Sequence, residues 1–128
     1  VVCHGTVPLE EAFRLMQQAD YLINIGNSVV NQIPSKIFDY ISTGKPIINI
    51  CKSRNCPTME YFQKYSLSIN LFEEEDILET QRHEMEKFIR MNKGKRLERE
   101  EIRTNFERCT PEYCANQMQK IFKRVCEE

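Results

Sequence analysis

The stretch "NQIPSKIFDYISTGKPIINI", residues 31–50, gathers two amides, a hydroxyl, an ammonium and a carboxylate where a helix begins. Pro34 suits the first helical position, Ile37, Phe38 and Ile41 give an apolar face, Gly44 fits a left-handed stop, and Pro46 prevents continuation. A helix start exposes unpaired N–H groups and about half a positive charge, which favours an anion such as phosphate. Ser35 adds a hydroxyl donor and Lys36 a full positive charge, while Asn31 and Gln32 carry amides that donate and accept. Asp39 follows one turn later, so its carboxylate projects from the same helix side. It repels phosphate but accepts hydrogen bonds well from the vicinal hydroxyls of a sugar. The cluster therefore fits a ligand that is anionic at one point and hydroxylated nearby, as a nucleotide or nucleotide sugar is. Spacing alone leaves a plainer reading open: Ser35 caps the helix, Lys36 is solvated, and Asp39 pairs with it at the surface for about half a kcal/mol or less.

What must position these residues is an alternation of strands and helices. "VVCHG" reads as a strand end stopped by Gly5, and residues 8–19 as a helix with Leu9, Ala12, Phe13 and Met16 on one face. "YLINIG", residues 21–26, reads as a strand closed by Gly26, Asn27 and Ser28. "PIINIC" is nearly continuous in apolar residues, as in a parallel strand covered on both faces, and "LSINLF" at 67–72 alternates like a strand nearer an edge. Residues 57–65 supply a short helix between them. The expected fold is α/β: a Rossmann-like parallel sheet of about four strands, with right-handed crossovers, helices on both faces and a helical carboxyl-terminal tail. Ligands of such sheets sit beyond the carboxyl ends of the strands, here Gly5 to Val7, Gly26 to Lys36 and Cys51 to Arg54.

From Glu73 onward the texture changes to dense mixed charge. Ile77, Leu78, Met85, Phe88 and Ile89 mark one helical stripe, Leu97, Ile102 and Phe106 a weaker one, and "NKGK" at 92–95 is the break between them. Thr110, Pro111 and Glu112 start a last helix, with Cys114, Met118, Ile121, Phe122 and Val125 along one side. Charge runs such as "FEEEDILE" and "KGKRLEREE" read as solvated helix faces and first-turn acids.

With 128 residues, 41% of them apolar, the chain suits one domain with its own core, residues 1–72 forming the βαβ part and 73–128 the tail. A net charge of −1 argues against nucleic acid as partner, although a local basic patch stays open. No apolar run approaches the roughly 18 residues of a membrane span, and the start lacks the features of an export signal, so the expected location is cytoplasmic. Six cysteines sit in apolar strands or amphipathic helices, which favours reduced thiols over a disulfide framework. The two C-x4-C pairs, Cys51/Cys56 and Cys109/Cys114, raise zinc, but zinc knuckles are usually tighter and supported by histidine, so no metal is expected. His4 and His83 read as structural or solvated. Neither G-x-x-x-x-G-K-[ST] nor G-x-G-x-x-G is present, which argues against a self-contained nucleotidase or dehydrogenase.

"GTVPLEEAFRLMQQADYLINIGNS" followed by "QIPSKIFDYISTGKPII" resembles the carboxyl-terminal, donor-binding domain of GT-B fold glycosyltransferases, especially the family 4-like enzymes of bacterial polysaccharide biosynthesis. There a strand and loop lead through a helix ending in "AD" to a strand, then to a "P-S-K-x-x-[ED]-Y-x-x-x-G-K-P" helix and strand. Ala19-Asp20, Pro34-Ser35-Lys36, Asp39-Tyr40 and Gly44-Lys45-Pro46 fall in register with that pattern over roughly residues 1–72. The resemblance implies that Asp39 holds the donor ribose, that Asn31, Gln32, Pro34, Ser35 and Lys36 face its diphosphate and sugar, and that Gly5, Thr6 and Val7 lie near the base. Many relatives carry a glutamate at the place of Asn31, and an amide there cannot act as a carboxylate. The resemblance further implies a transferase that moves a sugar from a nucleotide-diphosphate sugar, as substrate and without a cofactor, to an acceptor glycan or lipid-linked glycan. The acceptor would be held by an amino-terminal domain not contained in this sequence, so the chain is expected to be part of a longer protein and inactive alone. A location at the inner face of the membrane, with peripheral membrane association of the full protein, is compatible with such acceptors. Two other readings stand beside it: a non-catalytic α/β interaction module, and the nucleotide-sugar-binding domain of an epimerase-like enzyme.

Overall fold

The computed structural model describes residues 2–27, 29, 32–73 and 78–126. Helix α1 spans Leu9–Gln18, with Glu10 and Glu11 in its first turn, where carboxylates meet the positive helix end. Strand β1 (Leu22–Ile25) follows directly. Helix α2 (Lys36–Ser42) then buries Ile37 and Ile41, and Gly44 ends it with φ at 72°. Strand β2 (Ile47–Cys51), helix α3 (Met59–Phe62) and strand β3 (Ser68–Phe72) complete the α/β part.

The sheet is parallel in the order β1-β2-β3, with Leu22, Ile47 and Ser68 in register, then Asn24, Asn49 and Asn70. Sequential order with crossovers of one hand carries both connecting helices to the same face. Leu22 and Ile47 of the sheet accordingly share one core with Ile37 and Ile41 of α2, Phe62 of α3, Tyr65, Leu67 and Phe106, and Met16 and Ala19 pack against it. The central strand is buried on both sides, as its apolar run predicts, with Ile47, Ile48, Asn49 and Cys51 all nearly inaccessible.

One expectation about the sheet needs correction. It has three strands among the described residues rather than about four, because residues 2–7 form no ladder with β1. Val2 and Cys3 are exposed and bury no side chain against the sheet, so little offsets the entropy of ordering them as a strand. Helices lie on both faces, but the coverage is uneven. The far face carries Ile23, Ile48 and Ile69 in one row and Ile25, Ile50 and Leu71 in the next. Helix α4 (Leu78–Asn92) reaches it from the β3 side, but Ile23 and Ile25 on β1 remain 53% and 69% exposed.

Helix α4 is anchored at both ends. The Gln81 side chain accepts from the Phe72 N–H at 2.7 Å and donates to the Phe72 carbonyl at 2.9 Å, standing in for a strand partner at the end of β3. Tyr21 donates to the Ile89 carbonyl and its ring tilts against Phe88. Gly94, at φ 74°, turns the chain after α4, matching the break read at residues 92–95. Helix α5 (Arg99–Asn105) lies against α2, a 3-10 turn covers Glu107–Cys109, and helix α6 (Pro111–Cys126) ends the described chain.

Candidate functional site

In a parallel sheet the strands all end on one edge, and the loops leaving that edge are the natural place for a ligand. Here they are the β1–α2 loop, which carries Gln32 to Lys36, and the turn after β2, which carries Lys52 and Arg54. The first is held by its own side chains. Asn27 Oδ1 accepts from the Val29 N–H at 3.2 Å, Asn27 Nδ2 donates to Gln32 Oε1 at 3.3 Å, and the Gln32 N–H reaches the Val29 carbonyl. Gln32 thus serves the loop with its carbonyl oxygen and keeps its side-chain N–H groups available. Asn31, where the resemblance departs from its relatives, lies outside the described residues, as do Ser28 and Ile77.

Ser35 does not cap the helix. Its backbone is already helical at φ −58° and ψ −28°, and its hydroxyl makes no capping bond. The first turn closes on itself instead, with the Ile37 N–H on the Pro34 carbonyl and the Phe38 N–H on the Ser35 carbonyl, both at 3.2 Å. This narrows the expected anion cradle to the N–H groups of Ser35 and Lys36, which have no protein partner among the described residues. Lys36 and Asp39 are both exposed and form no ion pair with one another. Of the plainer reading, the Ser35 cap and the Lys36–Asp39 pair are absent among the described residues, while Lys36 is exposed to solvent as that reading expects. Pro34 is half-buried beneath the turn.

Gly5 adopts φ 67° and Thr6 is exposed, with Val7 half-buried; no hydrogen bond among the described residues joins this segment to residues 32–39. The structure thus brings Gln32, Pro34, Ser35, Lys36 and Asp39 together on one short segment and leaves Gly5 to Val7 unattached to it.

Beneath the same edge lies a polar layer that a reading of apolar runs passes over. On the face under α2 and α3, the apolar row of Leu22 and Ile47 gives way to Asn24, Asn49 and Asn70. Asn24 Nδ2 donates to Asn49 Oδ1, and Asn49 Nδ2 donates to Asn70 Oδ1, each at 2.7 Å. The remaining hydrogen of Asn49 points to Cys51 Sγ at 3.0 Å. No buried side-chain polar atom lacks a partner among the described residues, so the layer is fully satisfied. Cys51 is pushed up to about 11, chiefly by burial. The signal was visible: "INI", "INI" and "INL" recur in the three strands.

The turn after β2 adds positive charge. Arg54 lies over the Phe72 ring at 4.6 Å from its centroid, and Lys52 is exposed. Lys45, from the same G-K-P run that ends α2, behaves differently. It is buried, and its ammonium donates to the carbonyls of Gln17, at 2.6 Å, and Ala19, so it closes the end of α1 rather than meeting a ligand. Burial holds its pKa below the usual lysine range, and the nearby Arg96 charge adds to this.

A groove of about 720 Å³ lies elsewhere, between the end of α2, α5 and the start of α6, rimmed by Arg96, Arg99 and Arg103. Helix α2 runs back against the strands, so this groove belongs to the opposite end of the helix from Ser35 and Lys36, and neither lines it. Among the described residues no cluster of metal-ligating side chains is present, and no helix is long and apolar enough to cross a membrane. The fold and this edge define an α/β protein with a three-stranded parallel sheet. No protein-family model, curated protein or solved structure matches the chain.

Proposed function

We propose that this chain is the donor-binding part of a glycosyltransferase, taking a nucleotide-diphosphate sugar at the β1–α2 loop of a Rossmann-like domain. The observation that carries the proposal is the unused state of Ser35, Lys36 and Asp39. They sit together beyond the carboxyl end of a parallel strand, exposed, with no side-chain bond to the rest of the described protein. The Ser35 and Lys36 N–H groups and the Lys36 ammonium suit the diphosphate, and the Asp39 carboxylate suits the ribose hydroxyls. Lys52, beyond the next strand and about 5 Å further across the sheet by strand spacing, supplies a second cation for the leaving diphosphate. Transfer itself needs an acceptor and the groups that hold it, which the proposal assigns to a separate domain. The acceptor is then a glycan or lipid-linked glycan, and the setting is polysaccharide assembly on the cytoplasmic side of a membrane.

The test pairs a substitution with a change in ligand. A nucleoside diphosphate should bind the unaltered protein more tightly than its 2′,3′-dideoxy analogue, by roughly tenfold to a hundredfold for hydrogen bonds to a charged group. Asp39→Ala should erase that difference, because the carboxylate is what reads the hydroxyls. Calorimetry showing the same discrimination in Asp39→Ala would remove Asp39 from the site.

A second reading is favoured by one feature. Met118, Ile121, Phe122 and Val125 on α6 are all more than half exposed, and the helix buries no residue at all. An α/β interaction module that docks a partner through α6 would look like this. It predicts no response of the β1–α2 loop to nucleotides.

A further inference from the structure

We infer that Cys51 and Cys56 are a reversible disulfide-forming pair, which makes the turn after β2 a redox modification site. Cys51 ends β2 with its thiol buried, and Cys56 sits half-buried on the turn above it. Both sulfurs contact one hydroxyl: Thr58 Oγ1 lies 3.6 Å from Cys51 Sγ and 3.1 Å from Cys56 Sγ. The Cys56 sulfur and the Cys51 Cα approach the same point beside Gly26, each 3.7 Å from where a Cβ would stand there. Residues 52–55 between them are neither helix nor strand, so the turn can adjust to the geometry of an S–S bond without breaking a ladder.

The reactants differ in access, and this sets the order of events. Cys56 meets solvent first. Its thiolate attacks a low-molecular-weight disulfide such as oxidised glutathione, forming a mixed disulfide and releasing one thiolate. Cys51, as thiolate, then attacks the Cys56 sulfur and displaces the second glutathione as thiolate. Its proton passes to solvent. Two protein thiols are oxidised, one small disulfide is reduced to two thiols, and a dithiol reverses the change. Burial raises the Cys51 thiol, which makes the second step the slow one. The other C-x4-C pair, Cys109 and Cys114, is an internal control: equal spacing, both exposed, with no shared hydroxyl.

The folded chain is incubated with oxidised glutathione, free thiols are blocked, and trypsin is applied without reductant. Lys52 and Arg54 lie between the two cysteines, so a disulfide leaves residues 37–52 joined to residues 55–64. The expected result is that joined peptide, lighter by two hydrogens, removed by dithiothreitol and formed ahead of any Cys109–Cys114 link. In denaturant the two pairs should instead form at equal rates, since spacing alone then decides. Cys56→Ala should leave Cys51 unoxidised; if that variant fails to fold, Cys51→Ala should leave Cys56 as the stable glutathione mixed disulfide. A wild-type protein that stops at the mixed disulfide, stays reduced at both positions, or links Cys56 to an exposed cysteine would overturn the inference.

Discussion

Asn49 has every polar atom of its side chain engaged, and it does so with no accessible surface at the middle of the sheet. Replacing it by leucine keeps the branched shape but adds volume, and it strands two partners, the buried Asn24 Nδ2 and the half-buried Asn70 Oδ1. A loss of about 2–4 kcal/mol in urea unfolding is expected, since each orphaned buried group costs about 1–3 kcal/mol. A change under about half a kcal/mol would mean that the ladder stabilises nothing. The asparagines were present in the sequence in plain view, but their register was not, because strand pairing is a long-range property. The polar cluster was legible in the opposite sense. Ser35, Lys36 and Asp39 could be named from spacing, while the absence of a cap and of a Lys36–Asp39 pair could be learned only from the turn geometry, in which the Pro34 and Ser35 carbonyls take the N–H groups of Ile37 and Phe38.

Helix α2 was readable nearly residue by residue, because proline, an apolar face and Gly-Lys-Pro act locally. What Gly44 touches was not. Its φ of 72° belongs to the helix stop, but a Cβ there would also lie 2.7 Å from the Leu97 carbonyl oxygen, and the Gly44 carbonyl accepts from the Leu97 N–H at 2.8 Å. Gly44→Ala combines left-handed strain with a backbone clash, so a loss of about 2–3 kcal/mol is expected in chemical denaturation. Gly94, at φ 74° with open space around it, should lose less on the same substitution, and equal losses would show that strain alone accounts for the effect. The expected first strand is not seen among the described residues: residues 2–5 have the composition of a strand, but they form no ladder with the open edge of β1.

The whole molecule is arranged so that its apolar layers support one edge. Sequential parallel order puts α2 and α3 on one face, turns the start of α2 toward the carboxyl edge, and leaves the Arg-rimmed groove at the other end. Among the described residues, Ile23 with Ile25 on the sheet and the stripe of α6 stay apolar and open, and composition gave no sign of either because their spacing is that of ordinary core residues. The central claim is that the edge at α2 receives a nucleotide diphosphate. The most direct measurement is a titration of the chain with UDP, GDP, ADP and CMP, following the backbone amides of residues 32–39 and 51–55 by NMR. Saturable shifts at Ser35 to Asp39 with at least one of the diphosphates, and weaker ones with CMP, are the predicted result. Amides of that segment unmoved by every nucleotide at millimolar concentration would contradict it.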